Sequence, residues 1–101
     1  IYLPTDNTVA STASTIGEIL QEAKVPAMGS DAAVIDATLF TYGVDYHAIG
    51  VQAGELAVKI LKGDKPADLP VEKPNTAAVT VNEEMATALG FDAETIKALE
   101  K

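Results

Sequence analysis

The sequence predicts an α/β fold of three layers, built around a mostly parallel sheet of about four strands. Short apolar segments alternate with two amphipathic stretches of helical length, near residues 9–24 and 47–61. Strands and helices that alternate in this way form β-α-β units, whose strands run parallel. The 101 residues, 48% of them hydrophobic, supply one core and are too apolar for a disordered chain.

The first half of the chain is predicted to contain two strands, a long helix and one helical turn. Residues 1–3 end a buried strand. Apolar residues then recur at helical spacing on a single stripe, formed by Val9, Ala13, Ile16, Leu20 and Ala23 with Ile19 beside it. Pro26 ends this helix, because the residue before a proline avoids the helical region. Residues 25–28 form the next buried strand, and residues 32–36 form the helical turn.

The second half is predicted to hold two strands and three helices. Residues 38–44 carry β-branched and aromatic side chains in alternation, which is typical of a strand and places Tyr42 in the core. A helix follows over residues 47–61, and its buried side is formed by Ile49, Ala53, Leu56, Ala57 and Ile60. Residues 64–74 contain three prolines and form a connection. A strand over residues 77–81 precedes two short helices. Asn82 caps the first helix, which stops at Gly90, and Asp92 caps the second.

The charge and composition of the chain exclude several classes of partner. Fifteen acidic residues against seven lysines give a formal net charge of −8, and arginine is absent. An acidic surface repels phosphate backbones, so the sequence predicts no nucleic-acid partner. Cysteine is absent as well, which excludes disulfides and thiolate metal sites. No apolar run is long enough to span a membrane, and no export signal is visible in the sequence. The sequence starts at Ile1, without a methionine and directly inside a strand-like stretch, so we expect the chain to be cut from a longer protein.

The chain carries none of the motifs that mark common enzymes. Glycine-rich phosphate loops, Walker sequences, and the zinc-protease and serine-hydrolase motifs are all missing. The single histidine, His47, falls in the first turn of a predicted helix without a serine or cysteine motif beside it, and we expect it to face solvent. The sequence therefore predicts no catalytic residue, no metal site and no cofactor.

Two polar clusters, residues 3–8 and 42–46, each lie where a predicted strand gives way to a helix. Open parallel sheets bind ligands outside the carboxyl ends of their strands, and helix N-termini at that edge suit anionic groups. A third polar turn follows the second strand. The predicted ligand-binding residues are Thr5, Asp6, Asn7, Thr8, Asp31, Asp45 and Tyr46. Helix capping is an alternative role for the Asp, Asn and Thr members of this set, and the sequence leaves it open.

Each candidate residue has a chemical role in this interpretation. Asp6 accepts hydrogen bonds from an ammonium group of the ligand, while Asn7 and Thr8 orient the polar groups of the ligand. Asp45 pairs with an ammonium or a hydroxyl, and Tyr46 offers an aromatic wall to a flat side chain. Because arginine is absent, a ligand carboxylate has to be held by backbone N–H groups, hydroxyls or residues outside this chain.

Two segments carry a resemblance to a known family. They are Tyr-Leu-Pro-Thr-Asp-Asn-Thr-Val at residues 2–9, followed by Ala-Lys-Val-Pro at 23–26, and Tyr-Gly-Val-Asp-Tyr at 42–46. Both are similar to the substrate-binding proteins of bacterial ABC transporters, in the type I periplasmic-binding-protein group whose better-known members take aromatic amino acids. The resemblance implies a protein of two lobes that close on a solute. Residues 1–101 would then be a partial solute-binding lobe from its C-terminal third.

The resemblance also implies a function. The full-length protein would be the solute-binding component of an ABC importer, binding an amino acid or similar small solute in a cleft between lobes. It would act outside the cytoplasm and deliver the solute to an ABC permease. Two alternatives stay open, namely a regulatory domain of the same fold that senses a small molecule, and a flavodoxin-like enzyme fragment. A lobe without its mate exposes strand edges, so we also expect a homodimer or a swapped assembly.

Overall fold

The computed structural model describes residues 1–100 and confirms an α/β fold with a four-stranded sheet. The strands lie in chain order, and they are β1 (Tyr2–Leu3), β2 (Met28–Gly29), β3 (Phe40–Val44) and β4 (Ala77–Val81). β1 pairs with β2 and β2 with β3, both in parallel. In this register Leu3 lies beside Gly29, and Gly29 beside Thr41, so these three strands end at the same edge of the sheet.

Five α-helices and three short 3₁₀ helices connect or follow the strands in the described part of the chain. The α-helices are α1 (Asn7–Ser11), α2 (Ala13–Glu22), α3 (Tyr46–Leu61), α4 (Glu83–Leu89) and α5 (Ala93–Lys97). The 3₁₀ helices are Ala32–Ala37, Pro66–Asp68 and Ala98–Glu100. The chain divides into two compact units. Val44–Ala77 forms the second unit, and the residues before and after it form the first.

The core of the first unit lies where α2 and the helix Ala32–Ala37 pack together. Val34, Thr38 and Thr41 are fully buried there. Gly17 of α2 makes the close approach possible, because a Cβ at this position would overlap the carbonyl oxygen of Asp36 and lie 3.2 Å from Ala37 Cα. A second buried cluster joins β3 to the C-terminal helices, and its buried members are Leu39, Ala86 and Ile96.

The long helix predicted near residues 9–24 is two helices. The break lies at Thr12, whose φ of −113° and ψ of 10° leave the helical region. The Thr12 hydroxyl donates to the carbonyl of Thr8 at 2.8 Å, and the Ser11 hydroxyl donates to the same carbonyl at 2.9 Å. Hydroxyl side chains that bond to nearby backbone groups compete with helical hydrogen bonds, which accounts for the break.

The predicted apolar stripe of this region is confirmed only in its middle. Ala13 and Leu20 are buried together with Gly17. Ile19 is 61% exposed, and Ala23 is exposed beyond the end of α2. Lys24 follows in the left-handed conformation, with φ of 56°, and its Nζ donates to the carbonyl of Ala88 at 2.9 Å. The lysine thus joins the end of α2 to the last turn of α4.

The second and third strands begin later than predicted, and the alternation assigned to β3 is wrong. Tyr42 is 50% exposed, whereas its neighbour Thr41 is 1% exposed. The methyl group of Thr41 lies 3.1 Å from the position that a Cβ on Gly29 would take. The bare backbone of Gly29 therefore leaves room on this face for a buried threonine, and Tyr42 points to the other face because successive residues of a strand alternate.

The second unit contains α3 and the extended segment that follows it. α3 begins at Tyr46, close to the predicted start, but none of its residues is buried. Ile49 and Leu56 are half-buried, whereas the other members of its predicted buried side, Ala53, Ala57 and Ile60, are exposed. The predicted burial is wrong because little of the second unit covers this helix. Gln52 of α3 donates hydrogen bonds to Glu72 and to the carbonyl of Lys73, and a cavity of about 110 Å³ lies beside these contacts, lined by α3 and residues 72–74.

The C-terminal elements agree with the sequence prediction. β4 spans the predicted residues, and Asn82 Oδ1 accepts a hydrogen bond from the Met85 N–H at 2.9 Å to cap α4. α4 ends at Gly90, whose φ of 81° is left-handed. Asp92 caps α5 through the Glu94 N–H. These helix ends are encoded locally, which explains why the sequence reveals them.

Replacing Gly17 with alanine is expected to destabilise the chain by about 1–3 kcal/mol, because the added methyl group collides with the backbone of Asp36. The matched control is Gly54→Ala in the interior of α3, where a Cβ meets nothing within 4 Å. This control should gain about 0.5–1 kcal/mol from helix propensity. Urea unfolding of both variants gives the two free energies. A Gly17→Ala chain as stable as the unmodified one contradicts the packing described.

The stability of the C-terminal helices is expected to depend on pH through Lys97. Its Nζ lies 2.7 Å from Glu83 Oε1 and 2.9 Å from Glu94 Oε1. The hydrogen bond from Lys97 lowers the pKa of Glu83, and the bonds from both glutamates raise the pKa of Lys97. A carboxyl group whose pKa is lowered by folding stabilises the fold above its ordinary pKa, and this contribution is lost as pH falls through the folded value.

Lys97→Met should therefore lower the melting temperature slightly at pH 7, since exposed ion pairs contribute little. The difference from the unmodified chain should close as pH falls through the lowered pKa of Glu83, because the protonated carboxyl group no longer attracts Lys97. Thermal unfolding followed by circular dichroism at a series of pH values provides the measurement. A difference that does not shrink in acid would show that Lys97 acts by packing.

Candidate functional site

The turns after β1 and β2 lie together at one edge of the sheet in the first unit. The Ser30 N–H donates to the carbonyl of Leu3 at 3.2 Å, which continues the pairing of the two strands by one residue. Beyond it, the hydroxyl oxygens of Thr5 and Ser30 form a hydrogen bond of 2.9 Å. The structure therefore brings the predicted cluster at residues 5–8 next to the turn that carries Asp31.

Asp6 follows β1 at this edge and caps α1. Its Oδ1 accepts hydrogen bonds from the N–H groups of Thr8 at 2.8 Å and Val9 at 3.0 Å. The sequence predicts that free N–H groups at this turn suit an anion. This is wrong for the N–H groups of Thr8 and Val9, because both already donate to the Asp6 carboxylate. Within the described chain Oδ2 of Asp6 accepts no hydrogen bond, and the side chain is exposed. It can accept a hydrogen bond from a positively charged group.

The neighbours of Asp6 present further hydrogen-bonding groups to solvent. Thr5, Asn7 and Thr8 are all exposed. Asn7 is the first residue of α1, and the carbonyl of Thr8 is occupied by the hydroxyls of Ser11 and Thr12. The side-chain amide of Asn7 and the hydroxyl of Thr8 make no hydrogen bond with the described residues. Both groups can therefore serve as donors or acceptors for a ligand.

Asp31 is placed differently from the other candidates. It is 7% exposed, and its Oδ1 accepts a hydrogen bond from the Ala33 N–H at 2.8 Å, which starts the helix Ala32–Ala37. The structure thus gives Asp31 a role in shaping the turn after β2. Direct contact between Asp31 and a ligand stays a prediction.

Asp45 and Tyr46 belong to the second unit, where they begin α3. Asp45 is half-buried, and its Oδ1 accepts a hydrogen bond from the Ala48 N–H at 3.0 Å. Tyr46 is the first residue of the helix and is 62% exposed. His47 is exposed, as expected from the sequence. A ligand contact at Asp45 or Tyr46 stays a prediction.

The chemistry of these turns is acidic and hydroxyl-rich. The turns after β1 and β2, residues 4–8 and 30–31, contain two aspartates and no lysine or arginine. The described residues contain no group of three histidine, aspartate or glutamate side chains that could hold a metal ion. None of the helices among the described residues is both long and apolar enough to cross a bilayer. The arrangement suits a small ligand that carries a positive charge and hydrogen-bonding groups.

Sequence reasoning missed Ser30 as a member of this site. Its hydroxyl bonds to a residue 25 positions away, and this contact becomes visible only once the register of β1 and β2 is known. The backbone of Gly43 in β3 lies against Ser30 on the other side. The approach is so close that a Cβ on Gly43 would overlap the Ser30 carbonyl oxygen. The glycine at residue 43 is the one signal in the sequence, since close approach of two backbones favours glycine.

Comparison with known proteins assigns the chain to a family. The sequence model of the family described as ABC transporter substrate binding protein matches residues 1–97. The chain therefore belongs to this family, as its resemblance implied.

Among relatives, the chain is 33% identical over 90 residues to the tyrosine-binding protein of Clostridioides difficile strain R20291. That match covers 88% of this chain and 26% of the relative. Three solved structures share the fold. The first is the ligand-free, open structure of a substrate-binding protein with adhesive properties from Clostridium difficile, with 36% identity, a TM-score of 0.78, and coverage of 90% of this chain and 31% of that chain.

The second structure is a conserved domain protein from Vibrio cholerae, with 31% identity, a TM-score of 0.72, and coverage of 97% of this chain and 34% of that one. The third is an ABC domain from Streptococcus pneumonia in complex with L-Trp, with 35% identity, a TM-score of 0.72, and coverage of 99% and 35%. The chain thus spans about a quarter to a third of the length of these relatives.

The two roles of Asp6, capping and presenting a charge, are expected to separate by substitution. Asp6→Asn keeps a side-chain oxygen for the N–H groups of Thr8 and Val9, so its stability should stay within about 0.5 kcal/mol of the unmodified chain. Asp6→Ala removes the cap and should cost about 1 kcal/mol. Chemical denaturation of the two variants measures this difference. Equal stability of the alanine and asparagine variants would show that the cap contributes nothing.

Proposed function

We propose that this protein is the solute-binding component of an ABC importer and that it binds an amino acid or a similar small zwitterion. The observation that carries the proposal is the exposed Asp6 carboxylate at the carboxyl edge of β1, in a chain that belongs to the substrate-binding family. Asp6 Oδ1 is held by the backbone, so the carboxylate is fixed in place before a solute arrives. Such preorganisation lowers the ordering cost of binding.

The proposed contacts divide between the two ends of the solute. Asp6 accepts hydrogen bonds from its ammonium group, and hydroxyl or amide groups of Thr5, Asn7 and Thr8 orient its other polar atoms. Asp45 pairs with an ammonium or a hydroxyl of the solute. Tyr46 forms an aromatic wall. One relative is called a tyrosine-binding protein, and the structure of another contains L-Trp. Both support an amino acid as the solute and favour one with a flat side chain. Asp31 completes the proposed set by shaping the turn beneath the solute.

The chain supplies one part of the proposed cleft. Its relatives are about three to four times as long, which supports the proposal that these residues belong to a two-lobe protein and form a partial solute-binding lobe. The exposure of α3, which has no buried residue, is expected of a helix whose packing partner comes from elsewhere. We place the whole protein outside the cytoplasm, where it delivers solute to an ABC permease.

Other partners follow from the same surface. The net charge of −8 argues against a nucleic-acid partner, and the relatives are substrate-binding proteins, which supports the proposal that no catalysis occurs. β1 lies at the edge of the four-stranded sheet, and its Tyr2 is 60% exposed. If this edge is left uncovered, it can pair with a second copy, so a homodimer or swapped assembly of the isolated 101 residues is part of the proposal.

The proposal is tested by calorimetry of the protein expressed from its complete reading frame, against a panel of the common amino acids. At least one of them should bind. Asp6→Asn and Asp45→Asn should each weaken that binding about 10-fold or more, because a charge-assisted hydrogen bond is lost. The matched control is Glu22→Gln, which removes one negative charge from the exposed end of α2 and should leave the affinity unchanged.

Two results would contradict the proposal. The absence of binding to every amino acid would remove the assigned solute class. Equal affinities for the unmodified protein and both aspartate variants would instead keep the solute and remove Asp6 and Asp45 from the site. Because Asp6→Asn retains the helix cap, a loss of binding in that variant reports on charge and not on folding.

A further inference from the structure

Ser30 is held in place by contacts on both sides. On the side of β1, its N–H donates to the carbonyl of Leu3 at 3.2 Å. On the side of β3, its carbonyl oxygen lies so close to Gly43 that no Cβ fits between them. Ser30 is also half-buried, whereas Thr5 is exposed. Of the two hydroxyl partners, Ser30 is therefore the anchored one and Thr5 is the one that it holds.

The position of Thr5 matters because Asp6 follows it directly. The turn from β1 to α1 contains only residues 4–6, and Asp6 has extended backbone angles, with φ of −147° and ψ of 134°. Within the turn, Thr5 makes the one side-chain hydrogen bond to a neighbouring strand end among the described contacts. The bond fixes Thr5, one residue before Asp6, relative to the end of β2. The bond therefore orients the carboxylate of Asp6 relative to the sheet.

We infer that Ser30 is a positioning residue for solute binding, which acts through the hydroxyl of Thr5 on the orientation of Asp6. The inference rests on the proposed function, because it assigns a role within that same site. One hydroxyl of the pair uses its proton in the bond between them, and the other keeps its proton for an external acceptor, such as the carboxylate of the solute. The Thr5–Ser30 pair thus connects the fixed end of β2 to the surface that meets the solute.

The experiment is a double-mutant cycle on solute affinity, measured by calorimetry with the protein expressed from its complete reading frame. Ser30→Ala should weaken the affinity about fivefold, which is the usual effect of one hydrogen bond. Ser30→Thr retains the hydroxyl and should restore most of the affinity. In a Thr5→Ala background, Ser30→Ala should cause little further loss, because the two residues act through one bond. The control is Ser14→Ala, since Ser14 also bonds across elements, to Asp36 Oδ2 at 3.4 Å, but lies in α2.

A structural role alone would give a different result. Ser30→Ala would then lower the melting temperature and leave the affinity unchanged at temperatures where the protein stays folded, and this overturns the inference. Independent effects of the two alanine substitutions, which multiply in the double variant, overturn it as well. If Ser30→Ala does not fold, Ser30→Cys decides instead, because it keeps the size of the side chain, weakens the bond to Thr5 and should lower the affinity.

Failure of the inference can be told apart from failure of the proposed function. If the unmodified protein binds an amino acid and Asp6→Asn weakens that binding, while Ser30→Ala does not, only the role of Ser30 is overturned. If the unmodified protein binds none of the panel, the proposed function fails and the role of Ser30 falls with it.

Discussion

The parallel, in-register pairing of β1, β2 and β3 is the constraint on which the rest of the structure depends. β1 and β2 have only two residues each, so a few hydrogen bonds and close contacts set their alignment. Two glycines make those contacts possible. A side chain on Gly29 would collide with Val34 and Thr41, and one on Gly43 would collide with the backbone of Ser30. Because the strands end together, the polar turns that follow β1 and β2 become neighbours.

Those parts of the fold that are encoded by neighbouring residues could be predicted from the sequence. The ends of α4 depend on Asn82 and Gly90, and the start of α3 depends on the cap at Asp45. Features that depend on distant residues could not be predicted. Tyr42 was placed on the wrong face because the space that buries Thr41 comes from a glycine in another strand. The burial expected for α3 failed because amphipathic spacing indicates a face that can be buried and does not supply a partner.

The candidate site shows the same division. The rule that ligands bind at the carboxyl ends of parallel strands finds Asp6 and its neighbours without coordinates. It does not reveal that Asp6 already accepts from two N–H groups of α1, which removes those groups as partners for a ligand carboxylate. Nor does it reveal Ser30, whose contacts at Leu3, Thr5 and Gly43 come from two other strands and the turn after one of them.

The interruption at Thr12 separates two tasks that one continuous helix would combine. α2 carries the buried residues that pack against the scaffold, whereas α1 has none and closes its own hydrogen bonds through Asp6, Ser11 and Thr12. Substitutions in α1 can accordingly accumulate without opening a void in the interior. The framework beneath this single helical turn then stays the same.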